Sequence, residues 1–155
     1  MSAEDTFKYG PRARFRFVAQ KYETDCGVAC VAMIAGRTWE DAALSIFGVR
    51  WPRRRGFRTT TAQLVFALQK LGIKADHRLR VLKPDQYAIC DESLPTIVKV
   101  KPHEGVKRSG WHWMVVKSDK KTGGVLWFDP LAPEYPQGQA NVWCGEPSSF
   151  IKINR

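Results

Sequence analysis

A cysteine at the start of a predicted helix is the residue in this sequence best suited to covalent chemistry. Cys26 lies in the stretch Gln20-Lys-Tyr-Glu-Thr-Asp-Cys26-Gly-Val-Ala-Cys30. The N-terminus of a helix carries the positive end of its dipole and unpaired N–H groups, which favour the reactive thiolate. Cys26 is therefore the predicted nucleophile toward a carbonyl carbon, and Gly27 is expected to let a backbone or a substrate approach closely.

A carbonyl attacked by a thiolate needs hydrogen-bond donors for its developing negative charge. Gln20 lies six residues before Cys26, on the loop that leads into the helix. Its side-chain amide can point an N–H at the same oxygen as the backbone N–H of Cys26. We therefore expect these two donors to form an oxyanion hole.

The chain has three histidines, and His112 is the preferred general base. It lies in Gly110-Trp-His-Trp-Met-Val-Val116, at the start of an apolar predicted strand, and a strand end is a rigid mount for a catalytic side chain. His77 and His103 have polar surroundings and are expected at the surface. We predict that Trp111, Trp113, Gly110 and Gly27 contact substrate, with the tryptophans serving as core and groove wall.

Asp129 is the predicted carboxylate that orients the base. It ends the apolar segment Leu126-Trp-Phe-Asp129, and Lys120-Lys-Thr-Gly-Gly124 is a good hairpin turn between this segment and the strand of His112. The hairpin sets the two strands side by side, so Asp129 is expected to reach His112.

The elements that must position these residues divide into helices first and strands second. Each predicted helix has a capping residue at its start and a glycine at its end: 25–36 with Asp25 and Gly36, 38–47 with Thr38 and Gly48, and a third from Thr60 or Thr61 to Gly72. The predicted strands are 73–81, 94–101, 112–118, 124–129 and 149–153. This segregation indicates an α+β fold.

The three motifs Q-x4-D-C-G-x-A-C, H-W-M-V-V and F-D-P together resemble the papain-like cysteine peptidases. The closest resemblance is to the leader peptidase domain of bacteriocin-exporting ABC transporters, and it covers residues 16–153. It implies a papain-like fold, with an N-terminal helical part packed on a C-terminal antiparallel sheet. It also implies hydrolysis of a peptide or isopeptide bond through a thioester, with Cys26, His112, Asp129 and Gln20 in the roles given above, and suggests cleavage after Gly-Gly.

Composition favours a single domain over 1–155, with residues 1–17 as an N-terminal arm. The 155 residues are 44% hydrophobic and 26% charged, which is ordinary globular usage. No segment approaches the roughly 18 apolar residues of a membrane helix, and the first 17 residues lack the apolar core of a secretory signal. We therefore expect a cytoplasmic, free-standing relative without a transporter segment, although export by a dedicated secretion machine is compatible with the same sequence.

Four cysteines in such a chain do not suggest a disulfide framework, so we expect them reduced. Cys30 lies one helical turn after Cys26 and is expected to pack in the core. A metal site built on this pair lacks the second ligand pair of the usual zinc spacing, so we expect no metal and no cofactor. Cys90 and Cys144 have no evident partner.

A net charge of +10 favours acidic partners. The basic segment Arg50–Arg58 is a candidate site for an acidic protein, whereas no recognised motif supports a nucleic-acid partner. A catalytically silent peptidase-fold module that binds an acidic protein or nucleic acid is the alternative function. Acyl transfer to an amine in place of water is also open, since both reactions use one thioester, and the sequence gives no signal for the oligomeric state.

Overall fold

In the computed structural model, the described residues form three helices followed by seven short strands. The structure describes residues 15–48, 57–75, 80–81, 95–102, 111–119, 121–140 and 145–154. The helices are α1 (Cys26–Ala35), α2 (Trp39–Phe47) and α3 (Thr61–Lys70). The strands are β1 (Lys74–Ala75), β2 (Arg80–Val81), β3 (Thr96–Pro102), β4 (His112–Ser118), β5 (Val125–Phe128), β6 (Gly145–Ile151) and β7 (Ile153–Asn154). The predicted α+β fold, with helices packed on an antiparallel sheet, is confirmed.

Helix α1 is the central element of the core, and all ten of its residues are buried. A helix that is apolar on every side is stable only when other elements surround it. Gly36 ends it with φ 63°, the left-handed conformation that glycine adopts without strain. Asp25 occupies the N-cap position, but the prediction that it caps α1 is wrong, because its side chain makes no capping hydrogen bond to the helix.

Helices α2 and α3 begin at the threonines that the sequence predicts. Thr38 Oγ1 accepts a hydrogen bond from Asp41 N at 3.1 Å. Thr60 forms a complete capping box with Gln63, in which each side chain accepts from the other residue's backbone N–H. These caps fix the starts of the two helices that pack against α1.

The larger sheet has five strands in the order β2-β6-β3-β4-β5, and neighbouring strands are antiparallel. The predicted strand 73–81 differs from the structure: Lys74–Ala75 pairs with β7 in a separate two-stranded sheet, whereas Arg80–Val81 pairs with β6. Strand β6 also starts before the predicted residue 149. Strand β6 contains Pro147, which has no N–H to donate to a neighbouring strand. The pairing of β3 with β6 shifts register between Lys99 and Val100, and this irregularity accommodates the proline.

The sheet has apolar side chains on both faces. One face packs with the helices in the main core, where Trp113 and Val115 of β4 lie among residues of α1 and α3. The opposite face carries a second cluster of buried residues: Val98, Val100, Met114, Val116 and Trp127. Strand β4 is thus held from both sides and makes a rigid support for the residue at its start, His112. Within the described residues, no helix is both long and apolar enough to cross a membrane.

Candidate active site

The end of one strand and the start of its neighbour bring His112 and Asp129 together. Val115 pairs with Phe128, so the next pair along the ladder sets Met114 opposite Asp129. His112 lies two residues before Met114 and therefore on the same side of β4, diagonally across from Asp129. His112 Nε2 and Asp129 Oδ1 lie 2.6 Å apart, with the two residues only 4% and 2% exposed.

The carboxylate of Asp129 is itself held by the turn that follows β5. Asp129 Oδ1 accepts a second hydrogen bond from Leu131 N at 2.9 Å, and the backbone carbonyl of Asp129 accepts one from Ala132 N at 2.9 Å. An aspartate that bonds to backbone two residues on forms an Asx turn, which restricts its side chain to one orientation. The oxygen that meets His112 is therefore fixed before any ligand binds.

The imidazole of His112 interacts with two groups, the carboxylate of Asp129 and the thiol of Cys26. Burial alone lowers the pKa of His112, but the hydrogen bonds to Asp129 and Cys26 and the charges of both groups outweigh it, so the pKa is raised. Since Nε2 faces Asp129, Nδ1 is the ring nitrogen left for the thiol. The arrangement favours an imidazolium, which is the partner that stabilises a thiolate.

Cys26 and Cys30 are both free thiols, but their surroundings differ. Cys26 keeps 7% of its surface exposed, whereas Cys30 has none. Burial raises the pKa of Cys30 well above its ordinary value, and the negative charges of Cys26 and Asp129 raise it further. Cys30 therefore packs in the core, as the sequence predicts, whereas Cys26 keeps a small exposed surface.

Gln20 is anchored beside Asp129 through its backbone. Gln20 N donates to the carbonyl oxygen of Pro130 at 3.0 Å, which ties the loop before α1 to the turn after β5. Its side-chain Nε2 donates to the carbonyl oxygen of Tyr22 at 2.6 Å, and its Oε1 is buried with no hydrogen-bond partner. A primary amide has two N–H groups, so the contact with Tyr22 uses only one of them.

Three of the residues predicted to contact substrate are among the described residues, and they differ in exposure. Trp111 is 48% exposed, with Lys99 Nζ 4.9 Å from its ring centroid. Trp113 is 3% exposed and packs in the main core, although Lys99 Nζ also lies 5.6 Å from its ring centroid. Gly27 is also buried, and the space where its side chain would lie is taken by Thr59: an added β-carbon would sit 2.1 Å from Thr59 Oγ1.

Comparison with known proteins gives an independent result. The family model of the Peptidase C39 family matches residues 14–137, which is more than half of the chain. The chain belongs to the Peptidase C39 family. This is the family of the bacteriocin-processing peptidase domains of ABC transporters, so the predicted resemblance is confirmed. Comparison with curated proteins found no match.

The matched segment of this Peptidase C39 family member includes Gln20, Cys26, His112 and Asp129. Sequence reasoning missed a fifth residue next to them. Asp25 is completely buried, and its carboxylate contacts the loop between Gln20 and Cys26 instead of the helix. One signal in the sequence could have indicated this contact. An acid directly precedes the predicted nucleophile, and the loop before it has backbone N–H groups that no predicted helix or strand would bond.

The described part of this Peptidase C39 family member contains no group of three or more His, Cys, Asp or Glu side chains arranged to hold a metal ion. Several predicted features lie outside the described residues: Gly110, His77, His103, Cys90, Cys144, residues 1–14 of the N-terminal arm and residues 50–56 of the basic segment. The proposed contact of Arg50–Arg58 with an acidic protein therefore stays a prediction.

Proposed function

We propose that this chain is a cysteine peptidase that cleaves a peptide or isopeptide bond in a protein substrate. The observation that carries the proposal is the buried 2.6 Å contact of His112 Nε2 with Asp129 Oδ1, and the pKa of the same imidazole is raised by both Asp129 and the Cys26 thiol. A histidine that interacts with a carboxylate and with a thiol has the set of groups that activates a cysteine nucleophile. Membership of the Peptidase C39 family supports the same assignment.

In the proposed reaction, the Cys26 thiolate attacks the carbonyl carbon and forms a new carbon–sulfur bond. The negative charge that develops on the carbonyl oxygen is met by the backbone N–H of Cys26 and the amide of Gln20. His112 gives its proton to the leaving amine as the carbon–nitrogen bond breaks. Water then attacks the thioester, His112 takes up a proton from that water, and Cys26 leaves as the thiolate.

Trp111 is the proposed contact for the substrate chain beside His112. Its indole precedes the base and is about half exposed, so it can pack against an extended peptide. Trp113 supports β4 from the core. The family resemblance makes a Gly-Gly pair the first cleavage motif to test.

The test uses peptides that contain a central Gly-Gly pair and matched peptides with Ala-Ala at the same place. Wild type, Cys26→Ala and Cys30→Ala are compared by mass spectrometry of the products. We expect cleavage by wild type and Cys30→Ala and none by Cys26→Ala. Cleavage that persists in Cys26→Ala would reject the nucleophile, and equal rates on the two peptide series would reject the Gly-Gly preference while leaving the peptidase in place.

The alternative of a silent binding module makes the opposite prediction for the same proteins. A pure binder has no use for a reactive thiol, so Cys26 would be alkylated by iodoacetamide no faster than an ordinary buried cysteine. Rapid alkylation of Cys26 near neutral pH, with loss of this reactivity in His112→Gln, is the result expected of the peptidase.

A further inference from the structure

The acid directly before the nucleophile is buried among three N–H donors. Asp25 is 0% exposed. Its Oδ2 accepts from Lys21 N at 2.7 Å and from Trp39 Nε1 at 2.6 Å, and its Oδ1 accepts from Tyr22 N at 2.7 Å. A buried carboxylate is costly unless it is hydrogen-bonded, so these contacts account for its presence in the core.

The direction of these contacts leaves the N-terminus of α1 uncapped. An aspartate at the N-cap position usually accepts a hydrogen bond from the second or third N–H of its helix. Asp25 makes no such bond, because its two oxygens face the loop and α2. The first-turn N–H groups, including that of Cys26, are thereby spared for the oxyanion of a substrate.

The same contacts fix the loop that carries Gln20. Asp25 Oδ1 holds the N–H of Tyr22, and the carbonyl oxygen of Tyr22 accepts from Gln20 Nε2 at 2.6 Å. The ring of Tyr22 stacks on Phe57, with centroids 4.9 Å apart and an angle of 8° between the planes. Tyr22 thus connects the amide of Gln20 to Asp25, and contacts fix both the backbone and the ring of Tyr22.

We propose that Asp25 is a positioning residue, which aligns the Gln20 amide and the N-terminus of α1 on one oxyanion. The inference rests on the proposed function and deepens it. Asp25 does not touch the reacting atoms. It acts through the loop, so its loss weakens the stabilisation of charge on the carbonyl oxygen and leaves the Cys26–His112 pair intact.

Two reactions of the same thiol separate this role from a merely structural one. Cleavage of a peptide passes through an oxyanion, whereas alkylation by iodoacetamide occurs at a saturated carbon and forms none. For Asp25→Asn, we expect kcat for peptide cleavage to fall about tenfold to a hundredfold. This loss should not exceed the loss of kcat that follows removal of an oxyanion donor itself. We expect KM and the alkylation rate of Cys26 to stay near wild type.

Glu40→Gln is the matched control. It removes an acid from the same neighbourhood, where Glu40 pairs with Lys21, but leaves all three contacts of Asp25 in place. This variant should cleave peptide at the wild-type rate. Parallel loss of cleavage and alkylation in Asp25→Asn would overturn the inference, because a loosened fold affects both reactions.

A double-mutant cycle with Gln20→Ala tests the route of the effect. If Asp25 acts through Gln20, the double variant loses little more activity than Gln20→Ala alone. Additive losses would overturn the inference. A wild type that cleaves no peptide would overturn the proposed function and this inference with it, whereas an active wild type with an equally active Asp25→Asn would overturn this inference alone.

If Asp25→Asn shows no cooperative unfolding transition and is therefore not folded, Trp39→Phe replaces it in these measurements. It removes one of the three donors to Asp25 and keeps an aromatic ring beside Phe57. We expect a smaller fall in kcat with an unchanged alkylation rate. Unchanged kcat in this variant would count against the inference in the same way.

Discussion

Replacing Asp129 by asparagine removes the negative charge beside His112 while keeping an oxygen at the same position. Asp129 Oδ1 accepts from both His112 Nε2 at 2.6 Å and Leu131 N at 2.9 Å. The carbonyl oxygen of an asparagine can accept the same two bonds, so the geometry should survive. The variant therefore isolates the contribution of charge to the pair.

The size of the effect follows from the burial of this contact. A hydrogen bond to a charged group contributes about 1.5–3 kcal/mol, against about 1 kcal/mol for a neutral one. Loss of about 1–1.5 kcal/mol in the transition state is roughly a tenfold lower kcat/KM. Asp129→Ala removes the acceptor altogether, and we expect it to lower kcat/KM by about a hundredfold or more, in the range of general acid–base catalysis.

The direction of the pH effect is set by the causes of the raised pKa of His112. Burial lowers it, whereas Asp129 and Cys26 raise it and prevail. Protonated His112 therefore stabilises the fold below its unfolded-state pKa of about 6.5, and this contribution is lost as the pH rises through the folded-state pKa. Asp129→Asn should lower the pKa of His112 and move the alkaline limit of peptide cleavage to lower pH. Adding Cys26→Ala removes the second raising cause, so burial should then hold the pKa below its ordinary value.

The titration is measured by NMR of ¹³C-labelled histidine, which requires no substrate. The chain has three histidines, and His112→Gln assigns the signal. Asp119→Asn is the control, since that acid holds the hairpin turn through Thr122 and lies away from the imidazole in sequence and on the strand. An unchanged pKa of His112 in Asp129→Asn, together with an unchanged kcat/KM, would refute the proposed role of this carboxylate.

Three further predictions concern packing, thiol reactivity and capping. Gly27→Ala should lower the free energy of unfolding by about 1–3 kcal/mol because the new methyl group meets Thr59 Oγ1, and Thr59→Ala should restore part of the loss in chemical denaturation; equal stability of wild type and Gly27→Ala would contradict this. Native labelling with iodoacetamide near neutral pH should modify Cys26 and spare Cys30, as read from fragment ions of the tryptic peptide that contains both; equal labelling would show that the buried thiol is accessible. Thr60→Ala should cost about 1 kcal/mol in thermal unfolding by removing the capping box, whereas Thr60→Ser should stay near wild type; a loss in both would point to packing of the methyl group instead.

The sequence predicts the meeting of His112 and Asp129 because it depends on local geometry. The turn residues Thr122 and Gly123 identify a hairpin, and the hairpin fixes which residues of β4 and β5 face each other. The starts of α2 and α3 are predictable for a similar reason. Their caps join residues three apart in sequence, so short windows contain the whole interaction.

Predictions fail where the deciding contact is distant in sequence or alternates along a strand. Trp113 is adjacent to His112 in sequence, but the alternation of a strand turns it into the core. Gly27 is next to Cys26, but its neighbour Thr59 lies 32 residues further along the chain. The carboxylate of Asp25 bonds to Trp39, on the next helix, and that pairing cannot be read from the motif around Cys26.

The turn after β5 connects both halves of the proposed mechanism. Asp129 orients His112 from one side of this turn, and the carbonyl oxygen of the next residue, Pro130, accepts the N–H of Gln20 at 3.0 Å. The group that sets the protonation of the base and the group proposed to stabilise the oxyanion therefore share one short anchor. Because proton transfer and oxyanion stabilisation must act on the same carbonyl at the same time, a rigid link between them removes a motion that would otherwise have to be frozen in the transition state. A change that shifts this turn should affect both functions together, whereas a change at Asp25 should affect only the oxyanion.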